Sequence, residues 1–129
     1  PSDLLHEFVQ GNIAALQHLD ESTRVQDLER GVALIAEAES VYLVGLRRSF
    51  PVAAYLAYAL RHTDKRTYLV DGLAGMIAEQ SSMMRPGDLL IATSFRPYAQ
   101  PTADIVNEAI DRKAKVIAIS DSRLSPIAR

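Results

Sequence analysis

The sequence VYLVG at residues 41–45 decides the fold class. Val41 to Val44 form a short, continuous apolar run that ends at Gly45, and such runs are typical of a strand buried on both faces of a parallel sheet. The segment Pro51 to Leu60 comes next and is rich in Ala, Leu and Tyr, with its proline where the first turn of a helix tolerates one. The stretch therefore predicts a buried strand followed by a helix.

The same alternation continues toward the carboxyl end. It predicts strands over Thr67–Val70, Leu89–Thr93 and Lys115–Ser120, and helices over Leu73–Met84 and Thr102–Arg112. Strands that alternate with helices indicate an α/β fold with a doubly wound parallel sheet and right-handed crossovers.

An α-helical hairpin is expected ahead of the sheet. Apolar residues recur at three- and four-residue steps from Leu4 to Leu19, and Thr23 with Gln26 reads as a capping box for a second helix that ends near Ala38. We expect residues 1–39 to form the hairpin and residues 40–129 the sheet domain. The start at Pro1 and the lack of a closing element after the last strand indicate a piece of a longer protein, with a C-terminal element missing.

Composition and charge narrow the possible functions. The 129 residues carry a net charge of −2, which offers little general attraction for nucleic acid. The chain has no cysteine, which excludes disulfides, zinc-thiolate sites and thiol catalysis and suits a cytoplasmic location. The longest apolar runs are far shorter than the roughly 20 residues that span a membrane, so no membrane partner is expected.

Two loops carry the candidate binding residues, because ligands of such sheets bind beyond the carboxyl ends of the strands. GLRRSFP follows the first strand at residues 45–51, and SFRPYAQPT follows the third at residues 94–102. Each loop runs into a helix N-terminus and carries a hydroxyl and an arginine, which favours an anion. We predict a phosphate or carboxylate site with Ser49 and Ser94 as hydroxyl donors and Arg47 or Arg96 as charge partner. In the alternative interpretation the serines are helix N-caps and the arginines are solvated.

Other kinds of site have little support. The three histidines are scattered, Gly45 does not begin G-x-G-x-x-G, and neither serine lies in G-x-S-x-G. No cofactor, metal or catalytic residue is therefore expected. Asp71 and Asp121, after the second and fourth strands, are the carboxylates expected nearest the crevice, or else turn residues.

The loops also resemble those of a known family. Gly45 and Ser49 after the first strand, Ser94 after the third and Ser120 to Ser122 after the fourth resemble a sugar isomerase (SIS) domain, which implies a flavodoxin-like fold. More narrowly, VGLRRSFP and TSFRPY resemble the effector domain of RpiR/MurR-type bacterial transcription regulators, in which a helix-turn-helix domain comes first.

The loops and the resemblance together predict a site, a ligand and partners. The predicted ligand-binding residues are Gly45, Arg47, Arg48, Ser49, Ser94, Arg96, Tyr98 and Ser120. The resemblance implies an anionic, carbohydrate-derived small molecule as the ligand, and DNA as a partner reached only through a missing N-terminal domain. A second copy in a dimer is expected because the incomplete sheet and the amphipathic hairpin leave apolar surface that a partner could cover.

The sequence departs from the family pattern in both loops. Where the family has the second glycine of G-x-G-x-S, this sequence has Arg47. In place of the second serine, the glycine and the threonine of S-x-S-G-x-T, it has Arg96, Pro97 and Ala99. Pro97 lacks a backbone donor and Ala99 lacks a hydroxyl. We expect the two arginines to compensate, since a guanidinium binds an anion bidentately, or the ligand to be something other than a phosphosugar.

Three functions follow from this reading. The first is a metabolite sensor that controls DNA binding by an attached domain. The second is a sugar-phosphate isomerase, which needs a positioned acid/base group that the loops do not supply. The third is a dimerisation module with a degenerate site. The sequence favours the sensor.

Overall fold

The computed structural model describes residues 1–128, in which the chain divides into two compact units, residues 1–33 and the remainder from Leu34. The first unit contains α1 (Ser2–Ser22) and the start of α2 (Val25–Glu37), so the two predicted helices are confirmed. The predicted capping box is wrong. Thr23 is the extended residue that ends α1, and its N–H donates to the Leu19 carbonyl at 3.0 Å. Arg24 bonds to Asp27 at the start of α2 instead, at 2.9 Å.

The second unit is built on four parallel strands. They are β1 (Ser40–Gly45), β2 (Arg66–Val70), β3 (Leu89–Ser94) and β4 (Lys115–Ser120), in the order β2-β1-β3-β4. In the register of the sheet, Gly45 pairs with Thr93, and Ser94 with Ser120. The predicted doubly wound α/β fold is confirmed, and β1 and β3 are buried along their whole length at its centre.

Helices connect the strands. α3 (Phe50–Arg61) follows β1, α4 (Ile77–Ser81) follows β2, and α5 (Gln100–Asp111) follows β3. The prediction of one helix over Leu73–Met84 is wrong in its first half, where a single 3-10 turn precedes the short α4. Gly72, Ala74 and Gly75 all have positive φ there, a backbone that a right-handed helix cannot contain.

The core has one apolar layer on each face of the sheet. On one face, Val41, Leu43 and Ile91 pack with Ala57 of α3 and with Leu34 and Ile35 in the last turns of α2. On the other face, strand residues such as Val44 and Leu90 pack with Val106 and its neighbours on α5. Within residues 1–128, no helix has both the length and the apolar content that crossing a membrane requires.

Candidate functional site

The loops after β1 and β3 meet at the carboxyl edge of the sheet, because these two strands are neighbours. They enclose a small cavity of about 80 Å³. Its lining residues are Leu46, Arg47, Arg48, Ser49, Ser94, Phe95, Pro97 and Ala99. The structure thus brings four of the eight predicted site residues together, namely Arg47, Arg48, Ser49 and Ser94. Among the apolar wall residues, Pro97 and Ala99 were noted in the sequence only as departures from the family pattern, and Leu46 and Phe95 were not singled out, although all four lie in the two predicted loops.

The two serines that line this cavity are buried residues. Ser49 is at the N-cap position of α3 but its side chain makes no capping hydrogen bond, and Ser94 is the last residue of β3, five residues ahead of the Ala99 N-cap of α5. Among residues 1–128, neither hydroxyl bonds to another protein group. Ser49 is therefore an N-cap residue by position only, Ser94 is not an N-cap, and both hydroxyls have hydrogen-bonding capacity to offer.

Arg47 adopts a backbone conformation that favours glycine. Its φ is 54°, in the left-handed region, at the position where the family loop has its second glycine. A non-glycine residue in that region costs about 1 kcal/mol. The Arg47 side chain is exposed at the cavity, and no hydrogen bond or ion pair holds its guanidinium within the described residues. The cavity therefore has an uncommitted positive charge beside two uncommitted hydroxyls.

Arg48 joins the two loops. Its guanidinium donates a hydrogen bond to the backbone carbonyl of Arg96, on the other side of the cavity. The Arg96–Pro97 peptide bond in that second loop is cis. Arg48 is therefore engaged in a link between the two loops, whereas the Arg47 guanidinium makes no such bond among the described residues.

Gly45 has a packing role at this site. A Cβ at this position would lie 2.6 Å from the carbonyl oxygen of Ser49 and 3.0 Å from the Ala53 Cβ. The missing side chain allows the turn after β1 to fold tightly against the start of α3. Gly45 therefore shapes the loop, and it is not among the residues that line the cavity.

The other three predicted residues, Arg96, Tyr98 and Ser120, surround Asp121 instead. The Tyr98 hydroxyl donates to Asp121 Oδ1 at 2.6 Å, the Arg96 backbone N–H donates to Oδ2 at 3.1 Å, and Arg96 Nε lies 3.7 Å from Oδ2. Ser120 donates its hydroxyl to the Ser94 carbonyl at 2.8 Å. Asp121 thus fixes the loop after β3 to the end of β4.

These bonds change the acidity of both partners. The Tyr98 hydroxyl, followed by the Arg96 N–H, lowers the pKa of Asp121, because hydrogen bonds to a carboxylate favour its charged form. The same bond raises the pKa of Tyr98, since the phenol loses a good acceptor when it ionises. Asp121 is therefore a weak base near neutral pH.

Asp71 does not enter the cavity. It follows β2, and its Oδ1 accepts bonds from the Gln80 amide at 2.8 Å and the Leu73 backbone N–H at 2.9 Å. The Gln80 bond is the main reason that the pKa of Asp71 is lowered. Asp71 is a turn residue, as the alternative interpretation of the sequence had it.

The cavity lining combines two kinds of polar group with apolar walls. Its lining residues provide guanidinium groups, hydroxyls and apolar walls, with no carboxylate or imidazole among them. In the part of the chain that the structure describes, no cluster of three or more histidine, aspartate or glutamate side chains could hold a metal ion.

Comparisons with known proteins place these loops in context. The family profile of the SIS domain matches residues 34–129. The sugar isomerase domain of an RpiR transcription factor from Sphaerobacter thermophilus superposes with a TM-score of 0.93 at 28% identity, covering 98% of this chain and 70% of that one. No curated protein sequence matches.

More distant structures share the fold. The Vibrio vulnificus NanR protein, solved in complex with ManNAc-6P, has a TM-score of 0.87 at 23% identity, with 98% of this chain and 48% of that one covered. Phosphoheptose isomerase from Neisseria gonorrhoeae has a TM-score of 0.85 at 16% identity, covering 98% and 78%. The fold is therefore common to regulators and to isomerases.

Proposed function

This chain belongs to the SIS domain family, and we propose that it is the metabolite-sensing domain of an RpiR-type transcription regulator. The 28% identity to the RpiR transcription factor of Sphaerobacter thermophilus supports the regulator assignment. In this proposal a small anion derived from a carbohydrate binds between the loops after β1 and β3. Its binding then changes the DNA affinity of an attached domain.

The observation that carries the proposal is the unpaired Arg47 beside the unbonded hydroxyls of Ser49 and Ser94. A guanidinium and hydroxyl donors around one cavity fit the oxygens of a phosphate or carboxylate group. The ManNAc-6P complex of NanR supports a sugar phosphate as the first ligand class to test.

The same residues favour a sensor over an isomerase. Moving a proton between neighbouring sugar carbons needs a base close to the substrate. The cavity lining has none among the described residues, and the nearest loop carboxylate, Asp121, has a lowered pKa and bonded oxygens. The isomerase reading rests on the shared fold.

The proposal also assigns roles to the N-terminal helices, in linking to a DNA-binding domain and in self-association. Residues 1–39 act as the link to an N-terminal DNA-binding domain, and this chain makes no specific DNA contact itself, in keeping with its net charge of −2. The exposed apolar residues of α1 support assembly with a second copy, as a dimer or larger oligomer, in the cytoplasm.

Calorimetric titration with a panel of sugar phosphates and sugar acids tests the binding site. We expect Ser94→Ala to weaken binding by about 1 kcal/mol, through one lost hydrogen bond, and Arg47→Ala by about 2 kcal/mol, through a lost charge-assisted one. Arg96→Ala should have a smaller effect than Arg47→Ala, because Asp121 already binds Arg96.

A matched control is Arg112→Ala, which removes a surface guanidinium that binds Glu108 at the end of α5. It should leave the affinity unchanged. Equal affinities for the wild type, Ser94→Ala and Arg47→Ala would reject this site. Conversion of a sugar phosphate by this chain, abolished by Ser94→Ala, would reject the sensor in favour of an isomerase.

A further inference from the structure

Arg96 lies between two residues that line the cavity, Phe95 and Pro97, but its own polar groups are engaged with other residues. Its backbone carbonyl accepts the hydrogen bond from Arg48, which lines the cavity. Its backbone N–H and its guanidinium both point to Asp121, at 3.1 Å and 3.7 Å. One residue therefore connects the cavity with the Asp121 carboxylate.

The Asp121 carboxylate is well supplied with donors. Oδ1 accepts the Tyr98 hydroxyl, and Oδ2 accepts the Arg96 N–H and faces the Arg96 guanidinium. These are the kinds of donor that bind the oxygens of a ligand anion. The Asp121 carboxylate thus occupies hydrogen-bond donors that could otherwise bind the carboxylate or phosphate group of a ligand.

We propose that Asp121 sets the charge that the site offers to its ligand, by holding Arg96 away from the ligand's anionic group. This inference rests on the proposed anion-binding function. With Asp121 ionised, the paired charges of Arg96 and Asp121 cancel, and Arg47 is the guanidinium left to the ligand. Removal of the Asp121 charge frees the Arg96 side chain, which is 73% exposed and has a flexible stem, to reach a bound anion.

Asp121→Asn is the direct test, with inorganic phosphate as the probe and calorimetry as the measurement. The amide keeps the shape and an oxygen acceptor for the Arg96 N–H, but it removes the charge that holds the guanidinium. We expect phosphate to bind roughly tenfold more tightly than to the wild type, the lower end of the scale for one additional charged hydrogen bond.

Two further variants separate this explanation from a general change in charge. Asp71→Asn removes one negative charge from a different carboxylate. Like Asp121, Asp71 directly follows a strand and is hydrogen-bonded, but its partner is Gln80 rather than Arg96. It should leave phosphate affinity unchanged. The double variant Asp121→Asn with Arg96→Ala should lose the gain, because the released guanidinium is gone.

Three results would overturn the inference. They are equal or weaker phosphate binding by a folded Asp121→Asn protein, an equal gain in Asp71→Asn, and a gain that persists in the double variant. Absence of phosphate binding in both the wild type and Asp121→Asn overturns it too. The proposed function is judged separately, by the titration of the wild type with sugar phosphates and sugar acids.

Discussion

At Arg47, the stability of the fold and the proposed anion binding favour different residues. The residue keeps a left-handed φ of 54° although glycine is the residue that adopts this region freely. We expect Arg47→Gly to raise the free energy of unfolding by about 1 kcal/mol and to weaken anion binding at the same time. Urea denaturation and calorimetric titration measure the two effects.

Lys113 provides the matched control for that substitution. It has a φ of 64° just after α5, outside the cavity, so Lys113→Gly should give a similar gain in stability and no change in anion affinity. A loss of stability in Arg47→Gly, or an unchanged anion affinity, would contradict the assignment of Arg47 as the charge partner.

The connection between β1 and α3 depends on the absence of a side chain at Gly45. A Cβ there would lie 2.6 Å from the backbone oxygen of Ser49, and neither group can move without shifting the loop. We expect Gly45→Ala to lower the free energy of unfolding by about 2 kcal/mol, the scale of overpacking, and to weaken anion binding. Thermal or urea denaturation and calorimetry measure both.

Gly11 in α1 is the contrasting position, since an added Cβ would meet nothing within 4 Å. Gly11→Ala should stabilise the protein by about 0.5–1 kcal/mol through helix propensity alone. If Gly45→Ala were equally harmless, the tight turn after β1 would not be required.

The elements also show what the sequence can predict. Short apolar runs located all four strands to within a residue or two. For β1 and β3 this worked because a strand buried on both faces has no polar alternation to obscure it. The helix predicted from Leu73 was mostly wrong, because its apolar residues have helical spacing while positive φ at Ala74 and Gly75 prevents a helix.

The Asp121 contacts depended on information that no local pattern contains. Tyr98 and Asp121 are 23 residues apart and meet because β3 and β4 pair in the register that sets Ser94 beside Ser120. The sequence predicted that Arg96, Tyr98 and Ser120 lie at the strand ends. The sequence could not show that Arg47 is unpaired while Arg96 is paired with Asp121, because that difference depends on side-chain geometry.

On the scale of the whole molecule, α1 has a long exposed apolar stripe. Leu5, Phe8, Leu16 and Leu19 are each at least 59% exposed, and their spacing places them on one face of the helix. A stripe of this kind supports association with another copy. We expect the protein to sediment as a dimer or larger oligomer, and Leu5→Glu with Leu16→Glu to weaken association by roughly tenfold or more.

Gln10→Glu adds a charge to the polar side of the same helix and should leave the sedimentation behaviour unchanged. A wild-type protein that is monomeric at high micromolar concentration would contradict the expectation. Association of the Leu5→Glu, Leu16→Glu variant that is as strong as that of the wild type would also contradict it.

The small cavity between the two loops bears on how fast the proposed sensor could respond. Its volume of about 80 Å³ is far below the roughly 300 Å³ of small ligand pockets, so the loops must separate before a sugar phosphate enters. A hydrogen bond from the exposed Arg48 joins them, and exposed loops move within about a microsecond. A ligand at about 10 μM that associates at about 10⁶ M⁻¹ s⁻¹ arrives roughly ten times per second. For the proposed sensor, loops that separate on this time scale would open many times between arrivals, so the rate of sensing would follow the supply of the metabolite.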